Sequence, residues 1–383
     1  MSGELWSDSA LGMAARIRSG EVSSREVIEA HLSRIEEVNP HLNAVVRVLW
    51  DEARAGADTA DEARRNGAPM GPLHGVPFTV KENIDLAGTA TTNGVRTLAD
   101  AIAPIDAPVV ERMRAAGAIP MGLGNDLGGS LRNPAHCCGI SSIKPTTGVV
   151  PSATCIPPVD KAISFQIMAV EGVLGRHIAV LPEPAGGDTD AGIAAATRRV
   201  ADVLSDMGHA VTDTGPASYA RSVELWALLL SGDLRTLRPL LDAMMGAGGK
   251  AFLDLTDAAI PDIDVTTWST VHTERFAIAR EWAEFLADFD ALVTPAWANP
   301  AFPHGADIAD AAGAAATHET IRPVLPPNLL GLPVAVTPAG LSAGMPVGVQ
   351  VIGDRFHDLS CLSIAELIER SVGVLTPIEP ITA

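Results

Sequence analysis

Several kinds of residue are scarce in this chain. Tyrosine occurs once, beside six tryptophans and eight phenylalanines in 383 residues. A core so poor in aromatics must be built from Ala, Val, Leu and Ile, whose close packing suits helices laid on a sheet. Four cysteines at irregular spacing (Cys137, Cys138, Cys155 and Cys361) are too few for a disulfide framework. Adjacent Cys137 and Cys138 also lack the spacing of a zinc-ligand pair, so all four thiols are expected to act as small core residues. Basic residues number 27 against 46 acidic ones, a net charge of −19. Such a surface repels phosphate, which argues against nucleic acid and anionic membrane as partners. No apolar run approaches the ~18 residues of a membrane span. Glu4, Asp8, Arg16 and Arg18 interrupt any signal-peptide pattern at the start, and the cytoplasm is the expected compartment. The zincin H-E-x-x-H, the Walker loop, the EF-hand loop and the G-x-S-x-G elbow are all missing. Gly122-Leu123-Gly124 begins like a dinucleotide fingerprint, but Leu127 stands where the third glycine belongs.

What is present excludes disorder, since 47% of residues are hydrophobic and only 19% charged. Ser23-Ser24-Arg25-Glu26 fits a capping box, and Ile28, Leu32 and Ile35 follow at helical spacing until Pro40. Residues 43–49 are apolar and β-branched and predict a strand, and the charged residues 51–65 an exposed helix. Val76 to Lys81 reads as a strand. Asp106 reads as the cap of a helix that carries Pro108 near its start and Gly117 at its end, and 118–121 as the next strand. Strand, crossover helix and strand would make a parallel unit. Further on, helices are predicted over 188–207, 222–245, 268–287 and 359–371, and strands over 291–295, 333–336 and 347–352. The Ala-rich 309–316 reads as a loop or helix end. Helix and strand alternate without a linker or a repeat. The fold class is therefore α/β, expected as a single large domain with a mixed, mostly parallel β-sheet core covered by helices. Its parts are an N-terminal helical region (about 1–66), a central core (about 67–175) and a C-terminal part (176–383).

The stretch with chemical promise runs from Leu123 to Pro134. Gly128 and Gly129 before Ser130 allow a tight backbone that aims several N–H groups to one side. Such a nest can hold an oxyanion, and a serine at its end can attack a carbonyl. No histidine has an evident partner by sequence. Lys81 is the alternative base, because a lysine ending an apolar strand can have its pKa depressed by burial. Taken alone, Gly-Gly-Ser also fits a flexible turn and Lys81 a solvated strand end.

The two segments together resemble the amidase signature family. The likeness runs through Pro72 to Asp85, Asp106 to Val110, Ala116 to Ala118, Gly122 to Pro134, Cys138-Gly139, Ile143 to Gly148, Asn328 to Pro333 and Pro346 to Gln350, in the family's order. The resemblance implies a cofactor-free hydrolase of small-molecule carboxylic amides with a Ser–Ser–Lys triad. Ser130 would be the acyl-forming nucleophile and Lys81 the base. Backbone N–H groups of Leu127, Gly128, Gly129 and Ser130 would form the oxyanion hole, with Asp126 and Arg132 orienting the turn. Thr91, Thr92 and Asn93 would either touch substrate or form an ordinary turn. Lys144 reads as structural, not as a second base. A homodimer is expected on general grounds.

The sequence also departs from the family. The Gly-Gly-Ser-Ser-Gly-Gly stretch that supplies the bridging serine is absent, since Gly122 passes straight into Leu123-Gly124-Asn125-Asp126. A second skip is expected near Ala179-Val180, before Leu181-Pro182. The joins favour segments omitted from a longer chain over true deletions. Two alternatives to amide hydrolysis follow: a catalytically silent binding or scaffold protein, motivated by the missing serine, and a transamidase subunit.

Overall fold

The computed structural model describes residues 5–117, 124–150, 177–261 and 263–373. The chain divides into two compact units, one holding residues 1–94 and 99–124, the other residues 125–375 with the short 95–98 segment.

The first unit is helical. α1 (Ala10–Ser19) is capped by Ser9 and ends on the left-handed Gly20. α2 (Ser24–Leu42) begins with the predicted capping box: Ser23 accepts from the Glu26 N–H, and Glu26 accepts from Ser23. Pro40 sits in its last turn rather than stopping it, and Asn43 closes the helix in the left-handed region. α3 (Trp50–Arg65) is the expected exposed helix. Ile28, Leu32 and Ala57 pack α2 on α3, while Met13, Ala14, Ile17, Val27 and Val76 form a second small core. The strand expected over 43–49 does not form. Asn39 gives and takes hydrogen bonds with Val45, so this segment is tied to the preceding helix and pairs with no strand. Val76 to Lys81 likewise forms no extended ladder. α4 (Pro108–Ala116) ends on Gly117 as expected. Asp106 is not its side-chain cap; it accepts instead from the Ala87 N–H and pairs with Arg114. The strand expected at 118–121, and with it the parallel unit, lies outside the described residues.

The second unit carries the sheet. Its elements in order are α5 (Arg132–Cys138), β1 (Ser142–Lys144), β2 (His177–Val180), α6 (Ala191–Asp206), β3 (Ala210–Asp213), α7 (Tyr219–Met244), α8 (Ala247–Ala259) and α9 (Val265–Asp288). Then come β4 (Ala291–Pro295), α10 (Ala311–Ile321), α11 (Leu325–Leu330), β5 (Val334–Ser342), β6 (Met345–Ile352) and α12 (Asp358–Val372). The strand order is β1-β5-β6-β4-β2-β3. β2 pairs in parallel with β3 and β4, whereas β1 with β5, β5 with β6 and β6 with β4 are antiparallel. The sheet is thus mixed, and among the described strands antiparallel pairings outnumber parallel ones. The reason is the β5–β6 hairpin, which inserts two strands without a crossover. β2 runs through Ala179 and Val180, in register with Leu292 and Val293.

Period-two alternation builds a core on each face. Ile178, Val180, Ala291, Val293, Ala335 and Val351 meet α6 and α12 through Ile193, Val200, Leu204, Ile364 and Ile368. Ala179, Leu292, Val334 and Ile352 meet α7, α9 and α11 through Leu225, Trp226, Leu229, Trp282 and Leu329. Cys361 is buried in the first of these cores, with its thiol pushed up to about 12 by burial. Cys137 is half-buried and Cys138 exposed, so only Cys361 of the described thiols is a full core residue; Cys155 lies outside the described residues. The Ala-rich 309–316 is mostly the start of α10, capped by Asp310.

Candidate active site

Ser130 is exposed, at the end of a turn that enters α5. The turn is built on Asp126. This carboxylate is fully buried and forms an ion pair with Arg132, itself fully buried, at 2.9 Å through Arg132 Nη2; Arg132 Nε donates to the other oxygen, also at 2.9 Å. Asp126 also accepts from the N–H groups of Gly129 (2.8 Å), Leu131 (3.3 Å) and Arg132 (3.3 Å). Burial pushes the carboxyl pKa up, but the Arg132 charge and these donors hold it down at about 2. Arg132 in turn donates to Asn328 on α11 and to Gln350 on β6 at 3.0 Å. Gln350 donates onward to Thr294 on β4 (2.9 Å) and to the Pro323 carbonyl (2.6 Å). Asp126 and Arg132 thus form a buried ion pair that ties the turn to α11 and β6.

The backbone of the turn follows from these anchors. A trans peptide points its C=O and its N–H in opposite directions. The Asp126 carbonyl accepts from Asn328 Nδ2 (2.8 Å), the Leu127 carbonyl from Trp226 Nε1 (3.2 Å), the Gly128 carbonyl from Asn133 Nδ2 (3.2 Å) and the Gly129 carbonyl from the Asn133 N–H (2.6 Å). Each tie fixes the direction of the next residue's N–H. The N–H groups of Leu127, Gly128 and Ser130 have no partner among the described residues. The fourth expected donor, Gly129, is turned inward to Asp126 and braces the loop instead. Gly129 has φ +98°, and a side chain there would strike Asn133.

Lys81 lies in the first unit, exposed, in a stretch without regular structure. Its segment is held by short-range ties. The Ile84 N–H donates to the Lys81 carbonyl at 2.9 Å, Thr91 Oγ1 to Asp85 at 2.7 Å, and Thr92 to Glu82. Upstream, Ser24 Oγ donates to the Gly75 carbonyl (2.6 Å) and Asp61 accepts from the Ser24 N–H (2.8 Å). Thr91 and Thr92 thus brace the loop that follows Lys81, and Asn93 turns it in the left-handed region.

Two buried groups were not legible as such. Lys144 on β1 is fully buried and donates to the Pro145 carbonyl at 2.9 Å. Burial, then the nearby Arg132 charge, lowers its pKa to about 7, against the pull of Asp126 and Asp358. His136 on α5 accepts from the Gly348 N–H at 3.0 Å, and burial lowers its pKa to about 4. No cluster able to hold a metal occurs among the described residues, and none of their helices is long and apolar enough to cross a membrane.

A protein-family model described as Amidase matches residues 26–123, 119–183 and 175–362. The matched stretches meet at 119–123 and 175–183, where the sequence runs ahead of the family pattern. The chain is 32% identical over 466 aligned positions to indoleacetamide hydrolase of Bradyrhizobium diazoefficiens, covering 97% of this chain and 88% of that one. That alignment is longer than the 383 residues of this chain, so the relative carries stretches with no counterpart here. An acylamidase of Rhodococcus erythropolis is 26% identical, with 94% of each chain covered. A glutamyl-tRNA(Gln) amidotransferase component from Chloroflexus aurantiacus is 25% identical, with 93% and 95% covered. Among solved structures, a bacterial aryl acylamidase of the amidase signature enzymes superposes with TM-score 0.79 at 21% identity, covering 96% of both chains. Fatty acid amide hydrolase superposes with TM-score 0.84 at 17% identity, covering 98% of this chain and 87% of that one. At those identities the likeness is one of fold.

Proposed function

The chain belongs to the amidase signature family and is an amidase, and from that premise we propose an acyl-enzyme route with Ser130 as nucleophile and Lys81 as base. The observation that carries this reading is the anchored turn: three N–H groups without partners, aimed by carbonyls tied on the other side, next to an exposed serine. In the first step Lys81 Nζ accepts the Ser130 Oγ proton while Oγ bonds the amide carbon. The negative charge moves to the carbonyl oxygen, where the N–H groups of Leu127, Gly128 and Ser130 stabilise it; one such donor is worth ~3–4 kcal/mol. The Lys81 ammonium then returns the proton to the departing nitrogen as the C–N bond breaks. Water cleaves the ester in the reverse sense, giving the carboxylic acid and free Ser130.

The family's bridging serine has no counterpart in this sequence. The same absence favours a second reading, a catalytically silent member. Indoleacetamide, named for a relative 32% identical, is the first substrate to try. Turnover by the purified chain, lost in Ser130→Ala, supports the first reading; absence of turnover and of any covalent label on Ser130 supports the second. A cytoplasmic, dimeric enzyme that binds no nucleic acid completes the proposal, supported by the acidic surface.

A further inference from the structure

The reactive turn is held from one side by Asp126, Asn328 and Asn133, and from the other by a residue with no place in the motif. Trp226 lies on α7, nearly a hundred positions further along the chain, and is almost fully buried. Its indole Nε1 donates to the Leu127 carbonyl at 3.2 Å. A Cβ added at Gly128 would lie 3.1 Å and 3.3 Å from two atoms of its six-membered ring. The Leu127 carbonyl and the Gly128 N–H belong to one peptide plane, so whatever holds the first aims the second. The neighbouring planes are held by Asn328, through the Asp126 carbonyl, and by Asn133. The Leu127–Gly128 plane is the one held by α7, which packs in the same core face as α11.

We propose that Trp226 is a positioning residue for catalysis: its indole N–H orients the Leu127–Gly128 peptide so that the Gly128 N–H meets the oxyanion, and its ring keeps position 128 free of a side chain. This rests on Ser130 being the nucleophile. A peptide free to rotate about its flanking bonds leaves the ground-state amide bound but loses a donor that matters only when charge develops. The effect therefore falls on kcat and on transition-state mimics, not on KM.

The test is Trp226→Phe, which removes the donor and the distal part of the ring that faces Gly128. Expected is a fall in kcat of about tenfold to a hundredfold, with KM for indoleacetamide unchanged. The affinity for a boronic acid, which becomes tetrahedral on Ser130, should fall by the same factor while that for the product carboxylate holds. Gly128→Ala should give the same split, since its methyl group pushes the peptide off the ring. In wild-type protein labelled with ¹⁵N, the Trp226 indole proton should exchange slowly with solvent. Unchanged kcat in Trp226→Phe, or equal losses in kcat and ground-state binding, overturns the proposal. Rapid indole exchange does so even if the wild type turns over nothing, whereas a wild type without turnover or a Ser130 label overturns the Ser130 reading instead.

Discussion

The turn that carries Ser130 and the segment that carries Lys81 are held in opposite ways. The first is locked by a buried ion pair whose partners reach α11, β6 and β4, so three distant pieces of chain fix the turn. The second is held by short-range hydrogen bonds around Lys81 and, upstream, by Ser24 on α2 reaching the Gly75 carbonyl, in a unit without a described sheet strand. The difference matches the chemistry asked of each. An oxyanion hole works only if its donors are preorganised, which needs rigid support. A base needs reach, which a long lysine side chain supplies from a looser frame.

Ser130→Ala should have the largest effect on activity, a loss of about 10⁴-fold or more in kcat with the thermal midpoint preserved, because the side chain is exposed. Steady-state kinetics beside a melting curve measures both. Lys81→Ala should cost about 10²–10⁴-fold, again without loss of stability; a melting shift of several degrees would show that the segment is held as tightly as the Ser130 turn. Arg132→Met should do the reverse and strike the fold. It leaves the Asp126 carboxylate buried and unpaired, at a cost of about 3–5 kcal/mol, read as a shift in the urea midpoint. Ser23→Ala, which removes a cap in the first unit, should cost only about 1 kcal/mol.

A further effect is a slope. The Lys144 pKa is lowered to about 7, so between there and the unfolded value near ~10.4 the unfolded chain holds a proton that the folded one lacks. Stability from this group therefore rises with pH across that window. Asp126, Arg132, Asp358 and the Cys361 thiol face it, and the thiol, itself raised to about 12, pulls the other way at high pH. Between pH 6 and 9 the stability of wild type relative to Lys144→Met should climb; a flat difference would mean that Lys144 stays charged in the fold.

Local signals were legible and distant ones were not. The Ser23–Glu26 box, Gly117 closing α4 and the buried run of β4 depend on neighbours in sequence. The Val-rich 43–49 misleads because β-branching marks a strand only where an edge exists to pair with, and Asn39 claims this segment first. α8 escapes notice because Gly248 and Gly249 stand in its first turn. In the site, Asp126 and Arg132 are six residues apart and readable as a pair. Asn328, Gln350 and Trp226 reach the turn only through the sheet and α7, and no spacing announces them. Lys144 is fully buried and donates to the Pro145 carbonyl, and nothing around it in the sequence predicts that burial.

Amide hydrolysis by this route requires that Ser130 become acylated. Intact mass after treatment with a serine-reactive fluorophosphonate, followed by peptide mapping, reads the reactivity of that side chain directly. One adduct on Ser130, absent in Ser130→Ala and slowed in Lys81→Ala, is the predicted result. An unlabelled wild-type chain, or a label carried by another residue while Ser130→Ala still hydrolyses indoleacetamide, would contradict it.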